Sequence, residues 1–226
     1  MKNIERNLWI IVLPRIVFYV FIVFNIIAML SYPGSTYLDD LSLGYSFSSN
    51  FLSDLGRTMS FSGELNFLSS QLFNMSLIIV GGVFALFYLN VWKVFSDSGH
   101  WMLAIGGSIF GVLGALSLAA VGLTPADLYL DFHIIFATWL FRFFFVASLC
   151  YSLVIFLYPG FENKYALGYI VFTCSILLYI LVSEFGPSPK ASQFALILQV
   201  VSQKLILIIF LGAIYIQTMG LKKLQG

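Results

Sequence analysis

The chain has 226 residues, of which 60% are hydrophobic, 18% aromatic and only 9% charged, with a formal net charge of +1. A soluble domain carries about a quarter charged residues, so a soluble fold of this size would not cover its own surface. Near-neutral charge without a clustered basic stretch excludes an electrostatic nucleic-acid binder.

Crossing a hydrocarbon core of roughly 30 Å takes about 20 mainly apolar residues. Six stretches meet that length: residues 8–30, 67–91, 101–123, 132–157, 166–182 and 194–218. The breaks between them carry loop chemistry. Ser96-Asp97-Ser98-Gly99 follows the second span, Thr124-Pro125-Ala126-Asp127 the third, Tyr158-Pro159-Gly160 the fourth and Gly186-Pro187-Ser188-Pro189 the fifth, and Gly and Pro interrupt helices for backbone reasons. No stretch alternates with a period of two, which excludes a membrane barrel. The reading is an all-α, polytopic membrane protein: one domain over residues 1–226, a six-helix bundle with a long ordered extracytoplasmic loop at 33–66. The first span is longer than a signal-peptide core, contains Arg15 and precedes no small-residue cleavage site, so it is expected to remain as a span.

Orientation follows the lysines and arginines of the short connections. Lys2, Arg6, Lys93, Lys164, Lys222 and Lys223 fall on one side, Arg57 and Lys190 on the other, where Asp39, Asp40, Asp54, Glu64, Asp127, Asp131 and Glu184 also lie. Both termini are therefore expected in the cytoplasm of a multi-pass cell-membrane protein.

The 33–66 loop is serine-rich but holds Phe47, Phe51, Leu52, Leu55, Met59 and Phe61. Such length without regular structure is usually functional or disordered. Ser48 to Arg57 reads as a short helix, capped by Ser49 or Asn50 and stopped by Gly56 in a left-handed conformation. It is either a surface helix or a lid over a cavity, with Asp54 and Arg57 turned inward.

Charge inside the membrane is the second feature. Arg142 and Lys204 each lie about ten residues into spans that start on the loop side, near the midplane at 1.5 Å per residue. A cation there is costly and a functional candidate. No carboxylate lies in the central part of any span; the acceptors at suitable depth are Asn74, Gln199 and Gln203. An anionic lipid group would complete the set; a structural core of amides and carbonyls is the plain alternative. Arg15, nearer the inner edge, reads as an anchor.

His133 opens the fourth span beside Asp131 and shares the loop side with Ser53, Asp54, Glu64 and Glu184. A serine, a histidine and a carboxylate on one face are the parts of an acyl-transfer site, although no nucleophile-elbow pattern is present. No spaced metal motif occurs, and no metal or cofactor is expected. Cys150 and Cys174 lie in apolar runs and read as structural. The third span is rich in small residues, and Gly107-x-x-x-Gly111 allows close helix approach.

The segment Asn50-Phe51-Leu52-Ser53-Asp54-Leu55-Gly56, followed by Asp131-x-His133, resembles an uncharacterised prokaryotic six-helix membrane family, catalogued as a domain of unknown function. That family is itself similar to the DRAM/FRAG/SFK-type membrane proteins. The resemblance covers nearly the whole chain. It implies lipid-related biology, without implying any catalytic residue, and it directs attention to Asp54, Gly56 and His133.

The expectation is a protein that binds a lipid or other anionic amphiphile in an outward-facing cavity, with membrane lipids as its partners. Arg142 would meet the charge, Lys204, Gln203 and Asn74 would assist, and Asp54, Arg57 and His133 would line the mouth. The alternatives are an acyl- or phospho-transferase or hydrolase using His133 with Asp54 or Asp131, and a structural or accessory subunit in which Arg142 is interhelical glue. Alternating-access transport ranks below these, because matching broken helices are missing from the two halves. Nothing in the sequence fixes an oligomeric state.

Overall fold

A computed structural model describes residues 7–225. Two of the lysines and arginines used for orientation, Lys2 and Arg6, lie outside the described residues. Among the described residues, six helices are long and apolar enough to cross a membrane: α1 (Leu13–Ser31, preceded by a π-helical turn at Leu8–Val12), α2 (Phe67–Val91), α3 (Trp101–Leu123), α4 (Leu130–Leu157), α5 (Ala166–Phe185) and α6 (Gln193–Gln225). The second and third spans have the expected helix bounds; the others extend by one to several residues at their ends, where hydropathy gives way to capping and short 3-10 turns.

Each helix packs against the next, through short connections everywhere except between α1 and α2, and α6 returns to α1, so the bundle closes as a ring. Its centre is aromatic. Phe210 of α6 stands 5.2 Å from Phe84 of α2, 4.9 Å from Phe144 of α4 and 5.1 Å from Phe172 of α5, measured between ring centroids. Such offset and edge-on aromatic packing adds to plain area burial. The small residues of α3 bring it close to both neighbours. Gly107 faces Cys150 and Tyr151 of α4, while Gly111 receives the ring of Tyr88 from α2.

Residues 32–66 join α1 to α2 on one side of the bundle, called here the loop side. Within them, Leu52–Gly56 forms a 3-10 turn, shorter than the expected Ser48–Arg57 helix. Gly56 is not its left-handed stop, because positive φ among the glycines occurs at Gly34, Gly44 and Gly63. Gly56 is needed for close approach instead: a Cβ there would lie 2.5 Å from Asn74 Oδ1 and 2.7 Å from the Phe73 ring.

The turn dips between the helix ends, with Leu52, Leu55 and Gly56 all buried. Buried non-helical backbone has to be satisfied by the protein itself. The Leu52 amide donates to Gln203 Oε1 at 2.8 Å, and Lys204 Nζ donates to the Asn50 carbonyl at 2.5 Å. Asn66 donates to the Leu55 and Arg57 carbonyls at 3.0 and 2.8 Å. Asn74 donates to the Gly56 carbonyl at 3.0 Å. The α3–α4 connection adds a clasp, in which Asp127 accepts from the Thr58 amide and hydroxyl and from the Met59 amide. Burial pushes the Asp127 carboxyl up, but these hydrogen bonds outweigh it and hold its pKa below the ordinary value.

Candidate functional site

Between the loop turn, the start of α4 and the end of α5 lies a cleft of about 390 Å³. Its walls bring together five residues singled out from the sequence: Asp54, Arg57, His133, Arg142 and Gln203. Glu184, near the end of α5, and Ser53 join them. Beneath it an apolar cavity of about 90 Å³ is walled by residues such as Phe73, Leu77, Phe144 and Phe210. The two spaces share Ser53, His133, Ala137, Phe141 and Gln203, so a charged vestibule adjoins a greasy chamber.

Arg142 does not sit unmatched at the midplane. Side chains on a helix lean toward its N-terminus, and a long cationic stem carries its head toward the polar boundary. The guanidinium accordingly reaches back one turn, donating to the Thr138 carbonyl at 3.1 Å and to Glu184 Oε1. Counting depth by Cα position hid this pair, since Glu184 is near the end of its helix. The two side chains keep 36% and 38% of their surface, so the pair is open to a ligand.

Lys204 and Asn74 are placed elsewhere. Lys204 is 3% exposed and lies under the loop, 5.3 Å from the Tyr45 ring and 5.0 Å from the Phe47 ring. With Asn74 it holds loop carbonyls, and neither is part of the cleft wall. Gln203 does both jobs, lining the cleft while accepting from Leu52. Asp131 is exposed and outside the cleft wall.

Asp54 is 5% exposed. Its Oδ2 accepts from the Phe51 amide at 2.8 Å and Asn50 Nδ2 at 3.2 Å. Burial pushes its pKa up to about 6, against the pull of those bonds and of Arg57 and Lys204. Arg57 sits over Phe61, with Cζ 4.1 Å from the ring centroid. His133 Nδ1 is 2.7 Å from the Thr124 carbonyl. A carbonyl only accepts, so Nδ1 carries the proton and, in the neutral ring, Nε2 is left as the acceptor.

Sequence reasoning did not assign the aromatic part of the wall: it read Phe51 and Phe61 only as apolar residues of the loop, and it passed over Tyr37 and Tyr179. In a chain with 24 Phe and 12 Tyr, another aromatic residue carries no signal. Among the described residues, no group of three or more His, Cys, Asp or Glu is placed to hold a metal. No protein family, curated protein or solved structure matches the chain.

Proposed function

We propose that this is a multi-pass membrane protein that binds a lipid or lipid-like amphiphile in the cleft, with the loop side facing outward. The observation that carries the reading is the junction of a charged cleft with an apolar cavity through shared walls. Ligand sites are concave and mostly apolar, with a few placed polar groups, and an empty apolar cavity favours apolar ligand over water. An amphiphile matches both halves: its headgroup meets Arg142, Glu184 and Arg57, and its chain enters beside Ala137. Orientation rests on the positive-inside rule. Lys93, Lys164, Lys222 and Lys223 fall at the end of the bundle away from the loop, and Arg57 and Lys190 at the loop end.

Ala137 sits at the junction and belongs to both walls. Ala137→Trp is expected to plug it. Native mass spectrometry of the gently purified parent should show a retained lipid that the variant has lost, with the thermal midpoint of the variant close to that of the parent. A parent carrying no lipid, or a variant that retains it equally, would remove the basis of the reading.

The tautomer of His133 favours one second reading, hydrolysis or transfer of an acyl group. An imidazole whose Nδ1 proton is fixed by a carbonyl offers Nε2 as a general base, and Ser53 and Asp54 share its cleft. Asp131 drops out of this arrangement, leaving Asp54 as the carboxylate. Turnover of an ester phospholipid by the parent, abolished in His133→Gln while lipid retention is unchanged, is the expected result. Absence of turnover by the parent ends this second reading.

A further inference from the structure

We propose that the headgroup taken by this cleft is zwitterionic, an acidic phosphate beside an ammonium, and that it is gripped by splitting the Arg142–Glu184 pair. The inference rests on the reading that the cleft binds an amphiphile, and it replaces the anionic headgroup expected from sequence with a dipolar, net-neutral one.

The argument is charge complementarity at one wall. The charged side chains lining the cleft are Arg57, Arg142, Asp54 and Glu184, two of each sign. At the rim, Lys190 stands over the Tyr37 ring at 5.4 Å, and Asp127 is held by the Thr58 hydroxyl and by the Thr58 and Met59 amides. A purely anionic headgroup at Arg142 would face the Glu184 carboxylate across a few ångströms. A purely cationic one would meet the guanidinium. A dipolar headgroup satisfies both partners, the phosphate on Arg142 and the ammonium on Glu184.

Opening the pair is cheap. An ion pair that stays this exposed gains little net stability over its separated partners, and both of these side chains retain more than a third of their surface. Arg142 also has donors to spare: one bond goes to Glu184 and one to Thr138, out of five N–H groups in a planar fork suited to phosphate. Glu184 uses Oε1 for the arginine, which leaves Oε2 for an ammonium. The aromatic wall offers ring faces that attract cations, and Arg57 already uses one of them at Phe61. Depth agrees as well. Glu184 is the penultimate residue of α5, so the pair lies where headgroups lie, with the apolar cavity on the chain side.

The test is titration of the full-length protein in detergent micelles with dihexanoyl lipids bearing phosphoethanolamine, phosphocholine or phosphoglycerol headgroups. Trp139 provides the readout, because the Arg142 Cζ is 5.7 Å from its ring centroid and splitting the pair changes its surroundings. The parent is expected to bind a zwitterionic probe about tenfold or more tighter than phosphoglycerol, a difference of roughly 1.4 kcal/mol. Preference for phosphoethanolamine assigns the ammonium to hydrogen bonds with Glu184, and preference for phosphocholine assigns it to the aromatic wall. Glu184→Gln keeps the side-chain shape and leaves the cleft one charge more positive, so it should turn the preference toward phosphoglycerol. Equal or tighter binding of phosphoglycerol by the parent, or an unchanged ratio in Glu184→Gln, overturns the zwitterion while amphiphile binding stands. Failure of every probe to bind overturns both.

Discussion

Gly81→Val is expected to cost upward of about 3 kcal/mol of stability and to prevent most of the protein from accumulating folded. A Cβ at Gly81 of α2 would lie 2.6 Å from the Ala115 carbonyl oxygen and 2.8 Å from the Ala119 amide nitrogen of α3. These are backbone atoms, so the clash is relieved only by parting the two helices. The same contact has glycine on its other side as well, where a Cβ at Gly122 of α3 would lie 2.6 Å from the Asn74 carbonyl oxygen of α2. The adjacent Gly82 has nothing within 4 Å of its Cβ direction and supplies the control. By helix propensity alone, alanine at either position gains about 0.8–1 kcal/mol over glycine. Gly82→Ala is therefore expected to be neutral or stabilising, and Gly81→Ala to destabilise by about 1–3 kcal/mol. Thermal midpoints in one detergent, measured for both alanine variants, decide the matter; equal midpoints would mean the helices separate freely at this contact.

The six helices were legible because apolar length is a coarse property that survives errors at the ends, and α2 and α3 matched residue for residue. The polar residues at the cleft were legible for a related reason: Asp54, Arg57, His133, Arg142 and Gln203 stand out against an apolar background, and one wall gathers them. What the sequence hid was reach. Arg142 was placed by its Cα, whereas its stem carries the charge a turn toward Glu184. Lys204 was counted as a second midplane cation because nothing in the sequence indicates that the turn at 50–56 dips down to meet it. Gly56 was read by the commonest use of glycine at a helix end; its actual use, contact with Asn74 and Phe73, depends on residues distant in sequence. Asp127, with no special spacing, gave no sign that it clasps Thr58 and Met59.

Asp54→Asn is expected to abolish an acid-side rise in stability that the parent shows. In the folded protein burial pushes the Asp54 carboxyl from its ordinary 3.8 to about 6. A carboxyl raised in the fold contributes stability fully below the unfolded value and loses it as pH rises through the folded one. The loop should accordingly be held most tightly near pH 4 and progressively less up to pH 6–7, then level off, with a span on the order of 3 kcal/mol. Asp127 works with the opposite sign, since its lowered pKa gives stability that is lost only as pH falls below the ordinary carboxylate range, so the window from pH 4 to 7 reports chiefly on Asp54 among the loop carboxyls. Asparagine can present one oxygen to the Phe51 amide and Asn50 Nδ2 without a charge to desolvate, so Asp54→Asn should be flat across the window and at least as stable as the parent at pH 7.5. Lys204→Met tests the same latch from α6. It removes the donor to the buried Asn50 carbonyl, a loss of about 1–3 kcal/mol, and it withdraws a cation that favours ionised Asp54, so the slope should extend to higher pH. Hydrogen exchange at residues 50–57, followed from pH 4 to 8 and corrected for the intrinsic rate, separates loop release from global unfolding. A slope that persists in Asp54→Asn would assign the titration to another group and leave the buried carboxylate without an energetic role in holding the turn.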